Sequence, residues 1–190
     1  WVNLVTDGPP ATAIGFNPPD PDALAQPPRK VSDPVLTPWL LARYALTGCY
    51  VGYATLKVFV DDFAKYGVKF KHLATWAACD PAVKPWKRFH PLVAATNVAF
   101  DDNCMLAFGD SSPLKANAQT MALTTLVCME MFKALGAVSL DHSLLRVPFW
   151  RNKWLCAGVA LPVALHLTLL YTPLRWLFGL TALTPEDWTV

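Results

Sequence analysis

The sequence predicts an all-α membrane protein, a bundle of transmembrane helices joined by polar loops. Hydrophobic residues make up 54% of the 190 positions and charged residues only 16%, whereas soluble domains carry about 25% charged residues. Three apolar segments reach the length of about 20 residues that a bilayer-spanning helix needs. These segments are residues 39–60, 116–135 and 152–171. The hydropathy therefore favours a chain that crosses a bilayer over a soluble domain.

The connecting segments differ from these spans in composition. Residues 1–16 are apolar but short, as the second half of a span would be, and residues 17–38 form a proline-rich loop. Proline lacks the backbone donor that the interior of a helix needs. Residues 61–115 form a long polar loop, residues 136–151 a short one, and residues 172–190 lead towards a further helix. Aromatic residues that favour the membrane interface lie near the span ends: Trp39, Trp150, Trp154 and Tyr171.

Charge and chain ends limit the functional classes. The formal net charge is only +2, and no basic stripe with interleaved aromatics occurs, so we expect membrane lipid and no nucleic acid as a partner. The chain begins at Trp1 without a signal-peptide pattern. We interpret it as a fragment of a longer polytopic protein.

The first segment places polar side chains where a lipid-facing helix would have none. Asn3, Thr6 and Asp7 stand at i, i+3 and i+4, which puts their oxygen atoms on one face of a helix. Pro9 and Pro10 follow, and their missing N–H groups release backbone carbonyls. Transporters use such helix breaks for ion sites. The cluster therefore predicts a site for a hard cation such as Ca²⁺, which takes about 6–8 oxygen ligands.

Each of the two intramembrane carboxylates has an alternative role. The first segment could be a kinked helix in which Asp7 makes an interhelical hydrogen bond. Glu130 lies in an apolar stretch and could form the far wall of the same cation site. It could equally pair with Lys133 at i+3 or extend towards the nearer membrane surface. These four predicted ligands, Asn3, Thr6, Asp7 and Glu130, are too few for Ca²⁺, so further ligands must come from helices outside the chain.

The cysteines divide by environment. Cys49, Cys128 and Cys156 lie in apolar spans and act there as small hydrophobic residues. Cys79 and Cys104 share the long loop. They form a disulfide if that loop faces an oxidising compartment, or remain free thiols if it does not.

Five stretches resemble P-type calcium-transporting ATPases in order along the chain. They are WVNLVTDG with PATAIGFNPPD, RYALTGCYVGYAT, MALTTLVCMEMFKAL, SLLRVPFWRNKWL and TALTPEDWTV. Sodium/potassium pumps resemble the chain less, because they carry Asp at the position of Asn3. Plasma-membrane and secretory-pathway calcium pumps carry Met at the position of Thr6. Thr6 together with Glu130 resembles the sarco/endoplasmic reticulum type.

The resemblance implies a topology and a site. Residues 1–16 would be part of helix six, the three spans helices seven to nine, and residues 172–190 a luminal loop with the start of helix ten. Residues 17–38 and 136–151 would be cytosolic and residues 61–115 luminal. Asp7 would bridge two Ca²⁺ ions, Asn3 would serve one, and Thr6 and Glu130 the other. Cys79 and Cys104 would form the family's luminal disulfide.

The resemblance also implies an activity for the parent protein. It would be an ATP- and Mg²⁺-dependent Ca²⁺ translocase of the endoplasmic reticulum membrane with an aspartyl-phosphate intermediate. Its partners would be lipid, the pump's other helices and cytosolic domains, and small regulatory membrane peptides. This fragment would hold no catalytic or nucleotide-binding residue. The rival interpretations are a sodium or manganese pump and a non-enzymatic membrane scaffold.

Three departures from the family pattern affect these expectations. Pro9 replaces the usual Leu of the helix-six motif, and Lys133 stands one turn from Glu130, where it could neutralise that carboxylate. Asp61 and Asp62 replace apolar aromatic residues. We therefore expect the seventh helix to end early, near residue 60.

Overall fold

A computed structural model of the chain describes residues 6–18, 34, 36–66, 68, 70–74, 112–138 and 148–189. Within these ranges the chain is helical and contains no strand. The α-helices are α1 (Gly8–Ile14), α2 (Pro38–Lys65), α3 (Phe70–Ala74), α4 (Pro113–Gly136) and α5 (Lys153–Tyr171). Short 3-10 turns occupy Phe149–Arg151, Pro173–Phe178 and Asp187–Thr189. The three long helices cover the three spans predicted from hydropathy, except for Asn152, which directly precedes α5.

The expectation that the helix through residues 39–60 ends early is wrong, because α2 continues to Lys65. Lys57 pairs with Asp61 one turn along the helix, which is a spacing that supports helical structure. Asp62 accepts a hydrogen bond from Asn117 of α4. Both carboxylates therefore have partners that allow the helix to continue.

Helix α5 alone among the described helices has both the length and the mean hydropathy of a bilayer span. Tyrosines, glycines and threonines lower the mean hydropathy of α2, and amide, hydroxyl and charged side chains lower that of α4. The assignment of α2 and α4 as spans thus stays a prediction from sequence. Several large apolar side chains of α2 are exposed, among them Trp39, Leu46, Tyr50 and Tyr53.

The chain divides into two compact units. The first consists of residues 1–52 and 126–167. Its core contains the buried residues Ala13, Val138 and Leu155, which come from α1, the turn after α4, and α5. This core fixes the position of α1 and therefore also that of Asp7, which directly precedes it.

The second unit consists of residues 53–125 and 168–190. One buried cluster surrounds Phe63 at the end of α2 and includes Ala118 of α4. Another contains Met121, Leu170 and Leu183. Gly179 directly follows the 3-10 turn Pro173–Phe178 and has a left-handed backbone (φ 63°), a conformation that glycine adopts without steric cost.

Candidate cation site

Asp7 stands at the start of the helix that the structure describes in the first predicted span. Helix α1 begins at Gly8, with Asp7 as the residue that precedes it and prolines in its first turn. The first N–H groups of any helix lack intrahelical acceptors, so Pro9 and Pro10 cost α1 no hydrogen bond there. The Asp7 carbonyl accepts the first helical bond, from the Ala11 N–H at 3.0 Å. The Asp7 side chain makes no capping hydrogen bond, so its carboxylate is not used to close the helix.

The predicted ligands of the first segment have different environments. Thr6 is fully buried, while its neighbour Asp7 is exposed. Asn3 lies outside the described residues. The structure therefore places one hydroxyl inside the first unit and one carboxylate at its surface.

Glu130 lies near the end of α4 and is paired. The Lys133 ammonium contacts both of its carboxylate oxygens, each at 2.9 Å. The Glu130 side chain is 21% exposed and that of Lys133 is 43% exposed. The i+3 pair is therefore present in this structure, and both oxygens of Glu130 face an ammonium group.

The structure does not join Glu130 to Asp7. Within the described ranges no hydrogen bond or ion pair links these carboxylates to a shared group, and no three His, Cys, Asp or Glu side chains lie close enough to hold a metal ion. That further oxygen ligands come from helices outside the chain stays a prediction.

Two asparagines, which the sequence analysis did not single out, position α1. Asn152 is 2% exposed; its amide donates to the Ala13 carbonyl at 2.9 Å and lies 3.5 Å from Asn17 Oδ1. Its Oδ1 accepts the Leu155 N–H at 3.1 Å, which caps α5. Asn17 donates to the Val138 carbonyl at 2.7 Å. The visible signal was an Asn directly before an apolar run, which is typical of a helix N-cap.

A close backbone approach also positions α1. A Cβ atom at Gly158 of α5 would lie 3.0 Å from the Pro9 carbonyl oxygen and 3.1 Å from Ala13 Cβ. Small residues permit such approaches between membrane helices. Gly158 therefore lets α5 pack directly on the first turn of α1, next to Asp7.

The second unit contains a polar network of its own. Asn117 donates to Asp62 Oδ2 at 3.2 Å and accepts from the Thr181 hydroxyl at 3.1 Å. Asp62 is 1% exposed, and Lys65 lies 3.5 Å from its Oδ1. Asp62 follows the predicted 39–60 span, and burial raises the pKa of its carboxyl above the usual aspartate value, although the Asn117 hydrogen bond and Lys65 oppose that rise. This network bonds the end of α2, the start of α4 and the segment after α5.

The cysteine predictions are only partly covered by the described residues. Cys49, Cys128 and Cys156 are free thiols. The predicted disulfide partners, Cys79 and Cys104, lie outside the described residues, so their pairing stays a prediction.

Comparison with known proteins identifies the family. The sequence matches the family described as "Cation transporting ATPase, C-terminus" over residues 1–190. Calcium-transporting ATPase 4, endoplasmic reticulum-type, of Arabidopsis thaliana is 40% identical over 205 residues, covering 99% of this chain and 19% of that protein. Calcium-transporting ATPase 2, endoplasmic reticulum-type, of the same plant is 39% identical over 208 residues, covering 100% and 19%. The chain thus spans about a fifth of the length of these relatives. It belongs to the C-terminal, membrane-spanning region of the cation-transporting ATPases, and the predicted family and all-α membrane fold are confirmed.

Proposed function

We propose that the chain is the C-terminal membrane region of an ATP-driven pump that moves Ca²⁺ from the cytosol into the lumen of the endoplasmic reticulum. The names of both plant relatives support the ion and the membrane. The observation that carries the proposal is the Asp7 carboxylate, which stands directly before α1 and is not used to cap it. A carboxylate in that place is expensive in a membrane unless it serves an ion, a partner or a water path.

The chain contributes part of the Ca²⁺ site. Asp7 would bind both transported ions, Asn3 one of them, and Thr6 and Glu130 the other. Asn152 and Gly158 hold α1 in place and so fix the position of Asp7 relative to α5. The remaining oxygen ligands would come from helices of the longer pump.

The chemistry of ATP hydrolysis belongs to parts of the pump outside this chain. ATP and Mg²⁺ would act there, and the aspartyl phosphate would form there. The partners of the chain would be lipid, the remaining helices and cytosolic domains of the pump, and small regulatory membrane peptides. The long loop would face the lumen, where Cys79 and Cys104 would form a disulfide.

The proposal is tested with the full-length protein in microsomes. We expect wild type to take up Ca²⁺ with ATP and to form a Ca²⁺-dependent phosphoenzyme. Asp7→Asn should abolish both, because both ions lose the charge of their shared ligand. Asp61→Asn is the matched control: it removes a carboxylate whose partner is Lys57 on the same helix turn, so Ca²⁺ uptake should persist.

Other outcomes would contradict the proposal. Normal Ca²⁺ activation in Asp7→Asn would remove Asp7 from the site. ATPase activity stimulated by Na⁺ or Mn²⁺ but not by Ca²⁺ would identify one of the rival pumps. A folded wild-type protein that forms no phosphoenzyme with any of these ions would favour a scaffold.

A further inference from the structure

Both oxygens of the Glu130 carboxylate are occupied by a cation that belongs to the chain itself. Lys133 Nζ lies 2.9 Å from Oε1 and 2.9 Å from Oε2. A divalent ion bound by Glu130 would need one or both of these oxygens as ligands. The ammonium group of Lys133 and the transported ion therefore compete for the same two atoms.

Lys133 is suited to act as such a competitor. It stands one turn after Glu130 on α4, where i and i+3 side chains are neighbours. Because it is attached to the same helix, its effective concentration at the carboxylate is high and does not vary with conditions. Its side chain is 43% exposed, twice the 21% of Glu130. The Lys133 side chain can thus turn away from Glu130 towards the surface, while the less exposed carboxylate of Glu130 stays in place.

The other proposed carboxylate ligand has no such cation. Within the described ranges Asp7 has no ion pair with a lysine or arginine and makes no capping bond. The two carboxylates are therefore unequal before any ion binds. The ion that Asp7 shares with Asn3 meets no lysine or arginine of the described part of the chain, whereas the ion that Asp7 shares with Glu130 must first displace an ammonium group.

We propose that Lys133 sets the Ca²⁺ affinity of the pump by competing with the ion for Glu130. This inference rests on the proposed function, since Glu130 must be a ligand of the transported ion. Lys133 acts on affinity through Glu130 and does not itself bind the ion. The part of the site that includes Glu130 is the weaker part.

The experiment measures ATPase activity of the full-length protein in microsomes against free Ca²⁺. The variants are Lys133→Gln, Lys133→Arg, Glu130→Gln and the double variant Glu130→Gln with Lys133→Gln. Lys133→Gln should lower the half-activating Ca²⁺ concentration roughly two- to fivefold, the range expected for the loss of a partly exposed ion pair. Lys133→Arg keeps the positive charge, so its half-activating concentration should be at least that of wild type.

The double variant tests whether the effect passes through Glu130. Glu130→Gln should raise the half-activating concentration while one ion site persists. Lys133→Gln should then cause no further shift in that background, because the competitor has lost its carboxylate. A purely structural role of Lys133 would change the maximal rate or the protein level in both backgrounds alike.

The failures of the two proposals are distinguishable. Absence of Ca²⁺-stimulated activity in wild type would overturn the proposed function and this inference with it. Ca²⁺ activation in wild type with an unchanged half-activating concentration in Lys133→Gln would overturn the inference alone. An equal shift from Lys133→Gln in the presence and absence of Glu130 would overturn it as well.

Discussion

Replacement of Asn152 by Ala should loosen the end of α1 and the start of α5 together. The variant removes the cap of α5, which is worth about 1 kcal/mol. It also removes the amide donor from the Ala13 carbonyl, which keeps its bond from the Phe16 N–H, so the loss is that of one hydrogen bond, about 0.5–1.5 kcal/mol. The local free energy of opening should therefore fall by about 1.5–2.5 kcal/mol, which corresponds to roughly 10-fold to 70-fold faster amide exchange.

Hydrogen exchange read by mass spectrometry, on the full-length protein in detergent, measures this effect. Peptides that contain residues 13–17 and 152–156 should both exchange faster in Asn152→Ala. Lys153→Ala is the matched control, because Lys153 is the exposed neighbour of Asn152. Faster exchange in only one of the two peptides would refute the idea that one amide serves both helix ends. Equal exchange in Asn152→Ala and Lys153→Ala would refute the whole argument.

Three further predictions concern single positions. Gly158→Val should lower Ca²⁺-stimulated ATPase activity, because its side chain would collide with the first turn of α1, whereas Ala160→Val, at an exposed position of the same helix, should retain it. The pKa of Asp62 is raised in the folded protein, so the folded protein binds this proton more tightly than the unfolded chain does. The resulting contribution to the free energy of unfolding is fully present below about pH 3.9 and is lost as pH rises through the raised pKa. The melting temperature of wild type relative to Asp62→Asn should thus increase on acidification from neutral pH, and a constant difference would contradict this assignment. Gly179→Ala should lower the melting temperature of the protein, because a left-handed backbone costs a residue with a Cβ roughly 1–2 kcal/mol, and an unchanged melting temperature would show that the turn relaxes.

Hydropathy and local spacing predicted the helices well. The apolar runs at residues 39–60, 116–135 and 152–171 coincide with α2, α4 and α5 except at residue 152, because a helix satisfies its own backbone and needs no distant partner. The proline pair likewise indicated an irregularity beside Asp7, where α1 begins, since the missing N–H groups act locally. The family, too, was predicted from short local motifs and is confirmed by the match over the whole chain.

Interactions between distant residues explain what the sequence did not reveal. Asp61 and Asp62 suggested the end of a helix, but Asp62 receives its hydrogen bond from a residue 55 positions away. No pattern within α2 could show that Asn117 would lie beside it. Asn152 was placed at the start of the predicted span 152–171, and its bond to the distant Ala13 carbonyl was not visible from the sequence. The cation ligands themselves remain predictions, since Asn3 lies outside the described residues and both oxygens of Glu130 contact Lys133.

The bond between Asn152 and Ala13 also has a consequence for biosynthesis. These residues are 139 positions apart, and ribosomes add about 5–20 residues per second. Asn152 is therefore synthesised roughly 7–28 seconds after Ala13, whose carbonyl it later binds. During that interval α1 is inserted without the amide that later secures it. A ribosome that stalls in this stretch would leave a nascent chain whose α1 lacks this bond and is exposed to quality-control proteases.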